Sequence, residues 1–517
     1  MENDQAIILS KYTTALIQNL NSISAKPKVD EYSRLSVSQT ASFFAILYEK
    51  LRNVVEYRET HLIRRAAIER ILRRKLLLNP QGKGEGENLI RELLWARYFS
   101  PDTLSQEDVL NVQSIIDKYI SFKAHGKYAE FLMQLLSCEI EENLSPDEAR
   151  RTSLETFFLF QVLKNKINID GISPEQKDAY FYVALEKTFN KSDEAYLRYN
   201  LFKLLHETLT TVTPREIKEF EHVDKLINNA YSLRMRSFVK NHIPPFKILF
   251  EVLKKSGIHS EGIVTHKEKL WQQVSAICTE KYQQTTSKLR QLAVKAIIYI
   301  FLTKMIFAFI LEYPVSLYFF HEVNYLALII NSIFPPFLMF LIVGFTQAPG
   351  PKNTTRIFER LVDIIDADKS FETRISFVLR KSKAKKPLLI LGFTVFYSLT
   401  FFVTFFLLHE ILSFLRFNII SQSVFVVFVS LVAFFSYRIR NIAKEYRIRE
   451  GVSFFRPFTD IFTIPFLLLG KFLSNSISKL NFITTILDFF IEAPFKLIVE
   501  VVEEWVTFVR ARKEEIM

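Results

Sequence analysis

The sequence predicts an all-α protein that joins a helical soluble domain to a polytopic helical membrane domain. Apolar residues recur at helical spacing through residues 1–290, and no stretch there shows the alternation of a half-buried strand. Beyond residue 291, four apolar runs approach or reach the roughly 17–25 residues with which a helix crosses a bilayer. The predicted domains are therefore residues 1–290, a four-span domain over 291–437 with a basic loop at 346–386, and a tail over 438–517.

The first domain is expected to be a helical bundle or an irregular helical array. Ser145, Ser173 and Thr213 each stand before a proline, which places a capping hydroxyl ahead of a first-turn proline. Each also has Glu or Gln three residues later, as a capping box requires. The predicted helices span residues 5–23, 38–78, 87–99, 106–122, 128–140, 146–164, 174–189, 193–208, 214–239, 245–255 and 266–293.

Five Pro-Phe pairs mark further expected helix starts. Proline is tolerated in the first turn of a helix but breaks a helix interior. We therefore expect each pair to begin a helix, and the first of them to interrupt the helical domain after residue 243. The prolines of these pairs are Pro245, Pro336, Pro457, Pro465 and Pro494.

The most charged helical stretch of the first domain covers residues 52–75. Clustered Lys and Arg neutralise phosphates, so one hypothesis is contact with an anionic partner. The alternative is a helix face laced with ion pairs, such as Glu69 with Arg73. It is favoured because no aromatic interleaving or recognition motif accompanies the charge, and nucleic acid is not an expected partner. The residues named for an anionic contact are Arg64, Arg65, Arg70, Arg73, Arg74 and Lys75.

The four apolar runs cover residues 296–320, 325–345, 387–414 and 419–435. They contain only Gly344 and Gly392, although close-packed transporter helices use glycine and other small residues where backbones approach. This scarcity favours an anchor over a transporter.

Charge around the runs predicts their orientation. Ten basic residues lie between the second and third runs, whereas the two opposite connections are about four residues long with a single Arg416. The positive-inside rule then places both termini and the middle loop in the cytosol. The protein is expected in a bacterial cytoplasmic membrane, with anionic lipid headgroups near its basic loops.

The tail contains two apolar stretches. Residues 452–469 carry Arg456 and Asp460, which are costly in lipid, so a re-entrant or interfacial segment is favoured over a fifth span. Residues 494–516 form an amphipathic pattern with Trp505 on the apolar face and three glutamates on the other. Because anionic lipid repels an acidic face, we expect this helix to dock on protein through Trp505.

Catalytic, nucleotide-binding and metal-binding motifs are absent from the sequence, so neither a cofactor nor a metal is expected. Two cysteines, Cys138 and Cys278, have no metal or disulfide spacing. Ionisable residues within apolar runs are functional candidates by default, and here they are Lys304, Glu312, His409 and Glu410. The alternatives are that Lys304 reaches back to the cytosolic interface and that Glu312 lies in the outer interface.

A faint duplication relates two His-Glu pairs. His321 and Glu322 follow the first apolar run, and His409 and Glu410 lie 88 residues later. Two hairpins of the same topology are predicted to bring the pairs together at the outer face, where His and carboxylate suit a divalent metal or a proton relay. The alternative is an interfacial His beside a Glu that ends a helix among headgroups.

These features favour a membrane-anchored scaffold or adaptor whose helical domain binds a cytosolic protein and whose spans anchor and oligomerise the chain. A transporter or channel that uses the intramembrane charges is the alternative. A membrane enzyme that acts on lipid is the third hypothesis. A polar stripe on three or more spans would favour transport.

Overall fold

The computed structural model describes residues 6–24, 59–100, 103–122, 127–205, 214–321, 323–366, 377–379, 387–448 and 456–478, with isolated helical positions at 501, 505, 508, 509 and 512. The all-α prediction is confirmed. The helices are α1 Lys11–Ser24, α2 Thr60–Leu78, α3 Glu85–Trp95, α4 Gln106–Ile120, α5 Lys127–Leu144, α6 Pro146–Leu163, α7 Pro174–Leu185, α8 Glu194–Leu205, α9 Pro214–Ile227, α10 Ser232–Ser256, α11 Ser260–Val264, α12 Lys267–Phe307, α13 Tyr313–Phe320, α14 Tyr325–Gly344, α15 Pro351–Ile365, α16 Pro387–Phe414, α17 Ile419–Ala443 and α18 Arg456–Ser478.

Helices α2 to α5 and α7 to α9 enclose one hydrophobic core, called here the local core, whose buried side chains come from residues 67–227. Phe131 and Phe220 stack within it, with ring centroids 4.2 Å apart. Caps such as Ser105, whose hydroxyl and backbone both bond Asp108, fix where its helices begin. Apolar periodicity within each helix accounts for this core, because its members lie on successive amphipathic faces.

A second core, called here the junction core, draws on residues from Ile7 to Ile448. Helix α15 lies within the predicted basic loop and buries Ile357, Leu361 and Ile365 completely. Its end is tied to the chain start, where Ser10 N donates to Ile365 O at 2.9 Å. The first part of that loop is therefore an amphipathic helix packed into the helical domain.

One short parallel strand pair adds to this junction. Strand β1 (Ile167–Ile169) pairs with β2 (Phe377–Leu379), with Ile167 opposite Phe377. Neither segment shows a strand pattern long enough to be recognised in the sequence, and three residues are below the usual strand length. The pair links the helical domain to the connection between α15 and α16.

The expectation that Pro-Phe pairs begin helices is wrong at three of the five positions. Pro245, Pro336 and Pro465 lie inside α10, α14 and α18 respectively. Pro457 does stand in the first turn of α18, and Pro494 lies outside the described residues. A buried proline is tolerated within a helix when neighbouring elements satisfy the carbonyls it frees and packing stabilises both flanking segments.

Four helical stretches are long and apolar enough to cross a membrane: Lys267–Phe319, Tyr325–Gly344, Leu391–Phe414 and Ile419–Ala443. We call residues 291–344 and 387–443 the apolar bundle. The helix predicted for residues 266–293 and the run after it form one continuous α12, because nothing between them breaks the helix. This helix carries the chain from the junction core into the bundle.

Helix α18 packs tightly against α17. A Cβ placed on Gly470 would lie 2.2 Å from Ser430 O, so only glycine permits this approach. Residues 456–478 form a continuous helix, and its apolar part, Ile461–Leu473, is shorter than the four membrane-length stretches. The preference for a re-entrant or interfacial segment over a fifth span stays a prediction.

The described tail positions carry exposed apolar side chains, and the docking of this helix on protein through Trp505 stays a prediction. Trp505 is 65% exposed, and Val501, Phe508 and Val509 are exposed beside it. The other tail positions from 479 lie outside the described residues. An exposed apolar stripe of this kind is typical of a helix that lies against lipid or against another chain.

Candidate functional site

The apolar bundle contains a fully buried ion pair. Lys304 Nζ donates to Glu312 Oε2 at 2.6 Å, and neither residue has any exposed surface. Asn331 Nδ2 donates to the other carboxylate oxygen at 2.6 Å and to Ser421 O at 3.0 Å. The Lys304 ammonium also lies 5.3 Å from the centre of the Phe428 ring. Helices α12, α14 and α17 thus meet at one polar cluster, in which the Lys304 ammonium contacts Glu312 and both side chains are buried within the protein.

Local backbone irregularities position this cluster. Residues Ala308–Glu312 form a π-helical turn between α12 and α13, which rotates Glu312 relative to Lys304. Pro335 and Pro336 follow Asn331 and Ser332 by four residues, so the carbonyls of Asn331 and Ser332 have no helical N–H to accept. The site therefore contains backbone acceptors as well as charged side chains.

Two buried oxygens beside the pair have no hydrogen-bond partner among the described residues. They are Asn331 Oδ1 and Ser332 Oγ. Buried polar atoms are nearly always paired, so such a group indicates water, an ion or a functional role at the position. Ser430 Oγ also has no partner among the described residues, but Ser430 lies where α17 packs against Gly470 of α18. Further buried polar residues are Ser316, Thr404, Ser421, Gln422 and Ser436, so each of the four membrane-length stretches carries buried polar side chains.

His409 does not pair with His321. Its Nδ1 donates to Gln422 Oε1 at 2.6 Å, and Gln422 Nε2 donates in turn to Ser413 Oγ and Phe417 O. Glu410 is exposed, and Glu322 lies outside the described residues.

The predicted 88-residue duplication has the wrong register. His321 adopts a left-handed conformation (φ 53°) at the turn of its hairpin, and the corresponding turn residue of the second hairpin is Arg416 (φ 57°). The helices after the turns begin at Asn324 and Asn418, whose side chains both accept from the backbone three residues on. The repeated His-Glu dipeptide is too short to align the two hairpins correctly. The two asparagines that precede the second helix of each hairpin indicate the correct alignment, because asparagine is a preferred N-cap residue.

The two hairpin turns lie together at one end of the bundle. Asn324 Nδ2 donates to Arg416 O at 3.2 Å, and Asn418 Nδ2 donates to Ser316 Oγ at 2.8 Å. Each asparagine therefore caps its own helix and also binds the other hairpin. This contact supports the predicted arrangement of two hairpins with their short connections on the same side.

The basic segment of α2 is engaged in ion pairs. Arg64 donates to Glu141 at 2.6 Å and to Glu148 at 2.7 Å, and its pKa is raised because these carboxylates outweigh burial. Arg65 pairs with Glu69 and Asp193. The remaining pairs are Arg73 with Glu69, and Arg74 and Lys75 with Glu92. This geometry favours the ion-pair interpretation, while residues 52–58 lie outside the described part of the chain.

The helical domain carries an open groove between α6, α7 and α8. Its cavity volume is about 780 Å³, and five carboxylates and two basic side chains line it, together with His61. Its apolar wall includes Phe157 (56% exposed), Leu204 (63%) and Leu205 (44%). Contiguous exposed apolar side chains framed by polar residues mark protein-binding surfaces. Sequence patterning missed this groove because its walls come from separate helices.

Glu445 joins the end of α17 to the helical domain. Lys247 of α10 bonds it at 2.7 Å, and Lys191 lies 3.6 Å away. Burial alone would raise the pKa of Glu445, but the two ammonium groups outweigh burial and lower the pKa to about 2. This ionised carboxylate holds the junction core against the bundle.

Both cysteines are buried and free of disulfides. Burial raises the pKa of Cys278 to about 11 and that of Cys138 well above its usual value, so both thiols are unreactive at neutral pH. Within the described residues, no group of three or more His, Cys, Asp or Glu side chains is positioned to hold a metal ion.

Comparison with protein-family models, with curated proteins and with solved structures finds no match to this chain.

Proposed function

We propose that this chain is a multi-pass membrane protein that acts as a membrane-anchored scaffold, with the groove of its helical domain binding a cytosolic protein. The exposed apolar wall at Phe157 and Leu204 carries this proposal. The exposed wall favours a partner helix that presents an apolar stripe to the groove. Both termini and the basic connections lie in the cytosol, as the positive-inside rule requires.

The continuity of the helical domain with the apolar bundle supports the scaffold. Helix α12 passes between them without a break, and Glu445 pins the end of α17 to Lys247. A partner bound in the groove is therefore held at a fixed position relative to the membrane. Only 6% of the most apolar segment of α16 is buried inside the protein, so this helix offers a face for lipid or for a second copy of the chain.

The test is capture of partners by the full chain in mild detergent, with variants that change one exposed leucine. Leu204→Glu places a charge in the apolar wall, and Leu233→Glu is the matched control because Leu233 is 79% exposed and does not line the groove. We expect a specific partner that Leu204→Glu loses and Leu233→Glu retains. Identical protein sets from both variants and from the wild type would refute the groove as the binding surface.

Transfer of protons or small cations through the bundle is the second candidate function. It is favoured by the unpartnered oxygens of Asn331 and Ser332 beside the Lys304–Glu312 pair, since such oxygens hydrate or coordinate a passing cation. The complete burial of the pair corresponds to a closed conformation of such a path.

Reconstituted liposomes test this second function. The wild type is expected to dissipate an imposed proton or potassium gradient, and Glu312→Gln is expected to abolish the leak. Glu410→Gln is the matched control because Glu410 is exposed at the bundle surface. A wild type no leakier than empty liposomes removes transport from consideration.

A further inference from the structure

A cavity of about 1190 Å³ lies where the helical domain meets the apolar bundle. This exceeds the roughly 300–1,000 Å³ of pockets for drug-sized ligands. Helix α12 forms one wall, and the end of α14 together with the start of α15 forms the other. No residue of the Lys304 cluster or of the proposed scaffold groove lines it, so it is a separate site.

The lining changes character along α12. Toward the helical domain it consists of hydroxyl and amide side chains, among them Thr279, Gln283, Ser287, Gln347 and Thr355. Toward the bundle it is apolar, through Ala293, Val294, Ile297, Phe340 and Val343. At 1.5 Å per residue, the apolar wall extends about 10 Å beyond Arg290. A ligand that fits both ends has a polar head and a hydrocarbon chain.

Arg290 stands where the lining changes. Its side chain is exposed and has neither a hydrogen-bond nor an ion-pair partner in the described part of the chain. A guanidinium at the boundary between the polar and apolar parts of the lining can bind two oxygens of a phosphate group in a bidentate manner. Val294 (55% exposed) and Phe340 (60%) leave the apolar end open sideways, toward the space that lipid occupies around a membrane helix bundle.

We propose that this cavity binds one glycerophospholipid, with its phosphate on Arg290 and an acyl chain along Ala293, Ile297 and Val343. This inference goes beyond the scaffold function. A bound lipid fills the gap between α12 and the connection from α14 to α15, and so completes the contact between the helical domain and the bundle.

The experiment titrates the purified full chain with phosphatidylglycerol in detergent and counts bound lipid by native mass spectrometry. The wild type should retain one tightly bound lipid, and Arg290→Gln should weaken retention roughly tenfold, since the loss of a charge-assisted hydrogen bond is worth about that factor. Lys295→Gln is the matched control, because it removes the same charge from the same helix outside the cavity. Equal weakening by both variants would show diffuse attraction only and would overturn the proposal.

A second variant tests the acyl end without touching charge. A Cβ added at Gly344 meets nothing within 4 Å, so Gly344→Phe can fill the cavity without a backbone clash. We expect Gly344→Phe to lose the lipid while its melting temperature in detergent stays near that of the wild type. Retention of lipid by this variant, or saturation of the wild type by inorganic phosphate with no lipid bound, would contradict the site.

Discussion

Two buried ion pairs, one in the helical domain and one in the apolar bundle, differ in how many of the polar atoms around them are hydrogen-bonded. Arg64 in the helical domain binds two carboxylates and stacks on Phe99, and its partner Glu141 also accepts from Tyr196 OH at 2.5 Å. Lys304 in the bundle has one carboxylate and one aromatic face.

The difference separates a structural network from a candidate functional one. A buried ion pair stabilises a fold only when nearly every polar atom around it is paired, because desolvation otherwise exceeds the Coulombic gain. The Arg64 network meets that condition with groups from α2, α5, α6 and α8. The Lys304 cluster leaves the two oxygens Asn331 Oδ1 and Ser332 Oγ unpaired, which is costly for structure alone.

The largest expected effect is the loss of one member of the bundle pair. Lys304→Met leaves Glu312 buried without its counter-charge and should lower the unfolding free energy by about 3–5 kcal/mol. The double variant Lys304→Met with Glu312→Leu should recover most of this loss, because no unpaired charge remains buried. The Asn331 side chain also retains its hydrogen bond to the Ser421 carbonyl. Thermal unfolding of the detergent-solubilised chain measures both. If the double variant is as unstable as the single variant, the Lys304–Glu312 pair stabilises the fold as the Arg64 network does.

The Arg64 network should show the opposite pattern. Glu141→Leu should cost about 3 kcal/mol, because Arg64 loses one carboxylate and Tyr196 OH loses its acceptor. Adding Arg64→Met should restore little of the loss, since the Tyr196 hydroxyl stays unpaired. The fluorescence of Trp95, which is buried at the end of α3, follows this unfolding. If the double variant regains the full wild-type unfolding free energy, the Arg64 and Lys304 pairs contribute to stability in the same way.

A third prediction concerns Glu445, which is paired by two lysines outside the bundle. Its folded pKa of about 2 lies below the ordinary 4.5, so its contribution is fully present above pH 4.5 and is lost as pH falls from 4.5 to about 2. After a discount for partial exposure, Glu445→Gln should cost about 2 kcal/mol at pH 7. The wild-type and variant stabilities should converge near pH 2. A constant difference across that range would mean that Glu445 acts through packing and not through charge. Unfolding at each pH is followed by the fluorescence of Trp271, which packs edge-on against Phe358 in the junction core.

The local core could be predicted from the sequence, and the junction core could not. Leu93, Val112 and Leu136 follow helical periodicity on helices close in the chain. Ile7, Leu361 and Ile448 belong to one core although between 87 and 441 residues separate them in the chain. Periodicity within a helix does not indicate which distant helices pack together. The same limit applies to the candidate site. Lys304 and Glu312 were recognisable as charges in apolar runs, but Asn331 and the π turn that joins them required the three-dimensional contacts.

The smallest expected effect tests whether the packing of α18 against α17 seals a buried hydroxyl from water. Ser430 of α17, whose hydroxyl has no partner among the described residues, has its carbonyl against Gly470 of α18. Gly470→Ala would place a Cβ 2.2 Å from that carbonyl, so α18 must shift, at a cost of about 1–2 kcal/mol. Gly344→Ala is the control, since its Cβ meets nothing within 4 Å. A cysteine placed at Ser430 should react with a small thiol reagent faster in the Gly470→Ala background than in the Gly344→Ala background, because the shift of α18 admits water to this position. Equal reaction rates would show that α18 does not seal Ser430 from water.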